Sequence, residues 1–72
     1  MYGLMCVHDG HLKVTSGDTK NILEIKEGEL MSFERLKDAI SYRDSKLWWA
    51  LKPVKVRLSL NVWGGKKTYS FV

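Results

Sequence analysis

The chain has 72 residues, 44% of them hydrophobic and 28% charged, and a formal net charge of +4. This length suits a single domain over residues 1–72, and the hydrophobic content is too high for a disordered chain. Cys6 is the one cysteine, which excludes an intramolecular disulfide and favours a reducing, cytoplasmic compartment. No apolar run approaches the roughly 20 residues of a membrane span, and the N-terminus lacks the basic region of a signal peptide.

Charge is distributed unevenly along the chain. Residues 1–32 carry three lysines and five acidic side chains, a net −2, whereas residues 33–72 carry nine basic and three acidic side chains, a net +6. Seven of the eight aromatic residues also lie in this second part. Because charge distribution governs association with charged partners, this polarity predicts a basic, aromatic surface on the C-terminal part.

The first predicted element is a β-hairpin that turns at Asp9-Gly10. Asp-Gly between alternating segments is a strong signal for a two-residue turn, because both central residues need positive φ. Such a turn would pair Cys6 with Lys13. By the alternation of side chains along a strand, the core face then carries Met5, Val7, Leu12 and Val14. The outer face carries Cys6, His8, His11 and Lys13.

A turn over residues 16–18 and a third strand over 21–26 are predicted next. Serine, glycine and aspartate in succession are typical turn residues, and the segment after them is rich in β-branched and long apolar side chains. In the third strand, Leu23 and Ile25 are expected to face inward.

The middle of the chain predicts a helix from Ser32, as N-cap, to about Tyr42. Its apolar stripe would consist of Phe33, Leu36 and Ile40. Residues 47–51 are compatible with a short second helix, an extension of the first helix, or a strand. Pro53 limits how far each of these elements can continue toward the C-terminus, because the residue before proline avoids the helical region. All of them leave one tryptophan partly exposed.

The last predicted element is a β-hairpin over residues 54–71. Five apolar residues alternate with polar ones from Val54 to Val62, and Gly64-Gly65 can form a two-residue turn. That turn pairs Leu60 with Tyr69 and Leu58 with Phe71, and a one-residue slip would destroy the match of apolar with apolar positions. The outer face then carries Lys55, Arg57, Ser59, Asn61 and Trp63.

The order of elements predicts an α+β domain, in which a small, mostly antiparallel sheet packs against one main helix. A β-grasp-like roll and an SH3-like roll with an inserted helix both fit this order. The oligomeric state does not follow from the pattern.

The residues offer little for catalysis or metal binding. Cys6, His8 and His11 could supply thiolate and imidazole ligands, but their spacing matches no standard zinc signature. A Cys–His nucleophile pair would also need an orienting partner and an oxyanion site, and neither is evident. We therefore expect no cofactor, no metal and no enzymatic activity.

The C-terminal hairpin is the predicted functional surface. Cations and hydrogen-bonding side chains beside an exposed tryptophan are typical of surfaces that contact phosphates and stack on bases. The sequence therefore predicts a non-catalytic binding module whose partner is a nucleic acid, a nucleoprotein or an acidic protein surface, and not a membrane. The predicted binding residues are Lys55, Arg57, Asn61, Trp63, Lys66 and Lys67. The alternative is a small inhibitor or adaptor, of the kind that phages and mobile elements encode, which blocks a host enzyme or nuclease.

Overall fold

The computed structural model describes residues 1–22, 25–26, 28–60 and 67–72, and for Leu60 and Lys67 it describes the backbone. Within these ranges the elements are β1 (Tyr2–Cys6), β2 (Leu12–Lys13), β3 (Thr19–Lys20), β4 (Ser32–Phe33), α1 (Leu36–Ser45), β5 (Leu51–Leu60) and β6 (Lys67–Phe71). The strands pair in the order β3-β2-β1-β5-β6, and β4 also pairs with β1. Every pairing is antiparallel. The predicted α+β class, an antiparallel sheet with one helix, is confirmed.

The two faces of the sheet bury two separate hydrophobic clusters. The inner cluster consists of Leu12, Val14, Ile25, Leu30, Val56 and Tyr69. The helix-side cluster consists of Leu4, Ala39 and Leu51. Strand β1 contributes to both, because successive side chains of a strand point to opposite faces. Met5 packs against the inner cluster, and its neighbour Leu4 lies under α1.

The close packing of the inner cluster explains the glycine in β1. A Cβ atom on Gly3 would lie 3.3 Å from Cδ2 of Leu12 and 3.8 Å from Cγ1 of Val56. Both of those side chains are buried in the inner cluster and have little freedom to move aside. The absence of a side chain at this position therefore allows β1 to lie against the cluster.

The first hairpin has a longer turn than the sequence predicts. Met5 pairs with Leu12, and the N–H of Cys6 donates to the carbonyl of His11 at 2.8 Å. Gly10 has the expected positive φ of 75°, but Asp9 does not adopt positive φ, so the predicted two-residue turn does not form. The register shifts by two residues, which leaves Leu12 on the core face but places Val7 in the turn, where it is exposed.

The exposure predicted for the outer face of this hairpin is wrong in part, because two of its side chains, Cys6 and Lys13, are covered on the helix side of the sheet. Cys6 is half-buried and packs against the helix-side cluster. Lys13 is only 9% exposed, and its ammonium lies 4.6 Å from the centroid of the Trp48 ring. The same ammonium donates to the carbonyl of Gly17. A face that looks solvent-exposed in the sequence is therefore largely covered.

The third strand is shorter and earlier than predicted. The predicted turn over 16–18 is present, with Gly17 at φ 104° and the N–H of Val14 donating to the carbonyl of Asp18 at 3.0 Å. Strand β3 follows directly over Thr19–Lys20, and the described residues of the predicted range, 21–22 and 25–26, are not in a strand. Ile25 is fully buried, as predicted, and Leu23 lies outside the described residues.

Helix α1 begins four residues after the predicted N-cap. Ser32 and Phe33 form β4, which pairs with Gly3 and Tyr2, and this pairing holds their backbone in an extended conformation. The observed N-cap is Arg35, and the helix ends at Ser45 instead of Tyr42. The predicted apolar stripe is wrong as well, because the buried residue of α1 is Ala39, whereas Leu36 is 44% exposed.

Residues 46–50 form a helix C-terminus followed by a turn, so neither the helix nor the strand predicted for 47–51 is present before β5 begins. The N–H of Trp48 donates to the carbonyl of Arg43 and the N–H of Leu47 donates to the carbonyl of Asp44, both at 3.1 Å. This is a Schellman motif, in which the left-handed position is usually glycine. Here Leu47 occupies it, at φ 58°. Trp49 is exposed, as predicted for one of the tryptophans.

We expect Leu47→Gly to raise the free energy of unfolding by about 0.5–1 kcal/mol. A left-handed conformation costs an L-residue about 1–2 kcal/mol, and the extra freedom of glycine in the unfolded chain offsets about 0.5–1 kcal/mol of the gain. Urea denaturation followed by circular dichroism measures the change. As a control, Ser41→Gly at an exposed position in the middle of α1 should lower stability by about 0.5 kcal/mol. A loss of stability in Leu47→Gly would contradict the left-handed turn.

The C-terminal hairpin has the predicted faces in a different register. Leu58 pairs with Tyr69 and Val56 pairs with Phe71, two residues from the predicted pairing. Because the shift is even, the apolar residues still share one face, and Tyr69 is buried in the inner cluster. The predicted turn at Gly64-Gly65 lies outside the described residues.

Pro53 lies inside β5, so the proline does not end the preceding segment as predicted. β6 pairs with β5 from Val56 onward, so among the described residues β1 is the strand that lies beside β5 at Pro53. Pro53 lies opposite Leu4 in that pairing. A proline is tolerated at such an edge, because no neighbouring strand requires its missing N–H.

Candidate functional site

One side of the C-terminal hairpin presents polar and basic side chains, which we call the basic face. Arg57 lies opposite Ser70, and Ser59 lies opposite Thr68, so these four residues form two cross-strand pairs. Lys55 precedes them on β5 and points to the same side. The basic face therefore consists of Lys55, Arg57, Ser59, Thr68 and Ser70. All of them are exposed except Thr68, which is half-buried.

The basic face lies on the same side of the sheet as α1. In the pairing of β1 with β5, Lys55 lies opposite Tyr2, and Leu51 lies opposite Cys6. Tyr2, Cys6 and Leu51 all belong to, or pack against, the helix-side cluster. Lys55 and Arg57 are nevertheless exposed, so the helix covers the first part of β5 and leaves its middle accessible.

The two cations of the basic face are not neutralised by carboxylates of the described residues. Among those residues, ion pairs join Lys20 with Glu29 at 3.1 Å and Arg43 with Asp44 at 3.0 Å, and the imidazole of His11 lies 3.7 Å from the carboxylate of Asp9. None of these pairs involves the basic face. Its positive charge is therefore accessible to an anionic partner.

The structure describes part of the predicted site. It brings Lys55 and Arg57 together on one exposed face, as the alternation predicts. The backbone of Lys67 pairs with that of Leu60 at the far end of β5. The predicted contributions of Asn61, Trp63 and Lys66, together with the side chain of Lys67, lie outside the described residues.

The sequence did not reveal that Tyr2 borders the basic face. Tyr2 is the direct cross-strand neighbour of Lys55 and is half-buried. This proximity depends on the pairing of β1 with β5, whose partners are separated by about fifty residues along the chain. No turn signal or periodicity reports such a long-range contact, so nothing local in the sequence indicated it.

The cysteine and histidines of the first hairpin do not converge. Cys6 packs against the helix-side cluster, whereas His8 is exposed in the turn. The N–H of His11 donates to the carboxylate of Asp9 at 2.9 Å, and this bond lowers the pKa of Asp9. Within the described ranges, no three His, Cys, Asp or Glu side chains lie close enough together to hold a metal ion.

Comparison with known proteins gives no relative for this chain. No family model matches it, and no curated protein or solved structure matches it either. In the part of the chain that the structure describes, no helix has the length and apolar character needed to cross a membrane. Function is therefore inferred from the chemistry of the described surfaces.

Proposed function

We propose that the protein is a non-catalytic, cytoplasmic binding module that docks its basic face on a nucleic acid. The observation that carries this proposal is the pair of exposed cations on one strand face, Lys55 and Arg57, without a carboxylate partner among the described residues. Residues two apart on a strand are separated by nearly 7 Å, so the two cations can contact different phosphates. Such contacts release counterions and supply most of the affinity for nucleic acid.

The neighbouring side chains suit the same partner. The hydroxyl groups of Ser59, Thr68 and Ser70 can donate to phosphate oxygens, which position a protein on nucleic acid. A two-stranded ribbon is narrow enough to enter a major groove. The proposed site continues toward the tip of the hairpin, where Trp63 would stack on a base and Asn61, Lys66 and Lys67 would add further contacts.

The salt dependence of binding tests this proposal. Fluorescence anisotropy with labelled single-stranded and duplex oligonucleotides gives the slope of log affinity against log salt for each protein. We expect Lys55→Gln and Arg57→Gln each to reduce the magnitude of this slope by about 0.7–0.9, because each removes one phosphate contact. Both positions are exposed, so the free energy of unfolding should change by less than about 0.5 kcal/mol.

Lys26→Gln is the matched control, because it removes the same charge from a different surface. Lys26 is exposed and follows Ile25, which is buried in the inner cluster on the opposite side of the sheet. The slope should stay at the wild-type value in this variant. An equal reduction in the control would mean that net charge alone drives binding. If the wild type binds no oligonucleotide at low salt but binds polyglutamate, the partner is an acidic protein instead.

A further inference from the structure

A second exposed surface lies where α1 leads into β5, away from the basic face. Leu47 and Trp49 are 68% and 67% exposed there. Val7 is also exposed, and its backbone N–H donates to the carbonyl of Ala50 at 2.9 Å, which brings the first turn next to this segment. Apolar side chains grouped in this way on a small domain are typical of interaction sites.

Leu47 and Trp49 border an open pocket of about 460 Å³. Lys13 and Thr19, which are paired across β2 and β3, line one part of it, and residues 47–51 line the rest. The volume falls within the range of sites that accept a side chain or a small ligand. Most of the lining is apolar, so an occupant gains affinity by removing this surface from water.

The conformation of Leu47 is a separate observation that points to a functional role. A glycine at this left-handed position would form the same turn without steric cost. The leucine adds strain and little packing, because most of its side chain is exposed. Backbone strain that the fold does not require is concentrated at functional sites, where it serves to position a side chain. The side chain positioned here lines the pocket.

Two lysines lie at or beside the pocket. Lys13 lines its wall, where the largely buried ammonium donates to the carbonyl of Gly17. Lys46 is exposed directly before Leu47, and its ammonium lies 5.6 Å from the centroid of the Tyr42 ring. The carboxylate of Asp44 is paired with Arg43 at 3.0 Å, and no acidic side chain of the described residues lines the pocket. Within the described part of the chain, the surface therefore combines an apolar centre with the positive charge of these two lysines.

We propose that this pocket binds an acidic segment of a protein partner. An apolar side chain of the segment would fill the pocket between Trp49 and Leu47, and its carboxylates would face Lys13 and Lys46. Tryptophan is enriched among residues that dominate protein–protein affinity, and complementary charge at the rim supplies specificity.

A protein segment fits this surface better than a nucleic-acid strand does. Trp49 is the exposed ring of the lining, but the wall beside it is formed by Leu47, Ala50 and Leu51, which fit an apolar side chain and offer no second plane for a base. The ammonium of Lys13 already lies over the ring of Trp48. The proposal goes beyond nucleic-acid binding because it uses different residues. If the protein acts as an inhibitor or adaptor, the alternative function that the sequence offers, this pocket is the surface that would contact its target.

Selection from a random dodecapeptide display library against the wild-type protein tests this inference. We expect the enriched peptides to share an apolar residue flanked by Asp or Glu. A synthesised, labelled member of that set should lose at least about tenfold in affinity for Trp49→Ala. It should also bind Leu47→Gly more weakly, although that variant is expected to be the more stable protein. Amide shifts of isotope-labelled protein should change at residues 13, 19 and 47–51.

Leu36→Ala serves as the control, since it truncates an exposed leucine outside the pocket and should leave peptide affinity unchanged. Trp49→Ala should keep the wild-type affinity for oligonucleotides, and Arg57→Gln should keep the affinity for the peptide. Nucleic-acid binding by the basic face and peptide binding by the pocket can therefore be contradicted independently of each other. Enriched peptides without acidic residues, or none enriched, would overturn the inference. Amide shifts at residues 47–51 on adding an oligonucleotide, or a dimer that Trp49→Ala dissociates, would overturn it too.

Discussion

Replacing Tyr69 with alanine is expected to lower the free energy of unfolding by about 3–5 kcal/mol, the range for large aromatic side chains in a core. Tyr69 is 4% exposed and belongs to the inner cluster, so its truncation leaves a cavity beside Val56. A domain of this length has a total stability of about 4–11 kcal/mol. Urea denaturation monitored by far-ultraviolet circular dichroism should therefore show a midpoint shifted far toward low denaturant.

Phe71→Ala is the matched control for Tyr69→Ala. Both residues are aromatic, belong to β6 and lie on the same side of the hairpin, but Phe71 is 46% exposed. Its truncation should cost less than half as much. A larger loss at Phe71 than at Tyr69 would contradict the observed register and favour the pairing of Phe71 with Leu58 that the Gly64-Gly65 turn predicts.

Leu4→Ala is expected to cost about 2–5 kcal/mol of unfolding free energy. Leu4 is fully buried beneath α1, and the helix-side cluster that includes it joins the helix to the sheet. Thermal and urea unfolding of the variant measure the loss. Because Ala39, the buried residue of α1, belongs to this cluster, hydrogen exchange should accelerate more at the amides of α1 than in β5.

The control for Leu4→Ala is Leu36→Ala, the same truncation on the exposed side of α1. Alanine has the highest helix propensity, so this variant should differ from the wild type by less than about 0.5 kcal/mol. Equal losses in the two variants would show that α1 packs on the sheet through the stripe that includes Leu36, which the sequence pattern suggests.

The two hairpins show which features of a strand pair can be predicted from the periodicity of the sequence. In each, the predicted register is wrong by two residues and the alternation of apolar and polar positions is kept, although Val7 of the first hairpin lies in the turn and is exposed. Alternation is a local property of an extended chain, so an even shift preserves it. The register depends on turn geometry and on burial of particular side chains. Asp9 keeps negative φ and its carboxylate accepts the N–H of His11, which favours the longer first turn.

The helix shows where local signals fail. Ser32 is a good N-cap residue, and Phe33, Leu36 and Ile40 have helical spacing, yet Ser32 and Phe33 pair with β1. Their backbone groups are used in a contact about thirty residues away in sequence. Tertiary pairing of this kind overrides a weak local preference, and the helix starts only after the strand ends.

By itself, the sequence determined the α+β class, the apolar face of the C-terminal hairpin, and the exposure of Lys55, Arg57 and one tryptophan. All of these follow from composition and from side-chain alternation, which act over a few residues. The tertiary structure alone decided that Cys6 packs against the helix-side cluster and Lys13 against Trp48, that Tyr2 borders the basic face, and that Leu47 and Trp49 line a pocket. These features depend on contacts between distant segments, and such contacts are selected by packing of the whole core rather than by local preference.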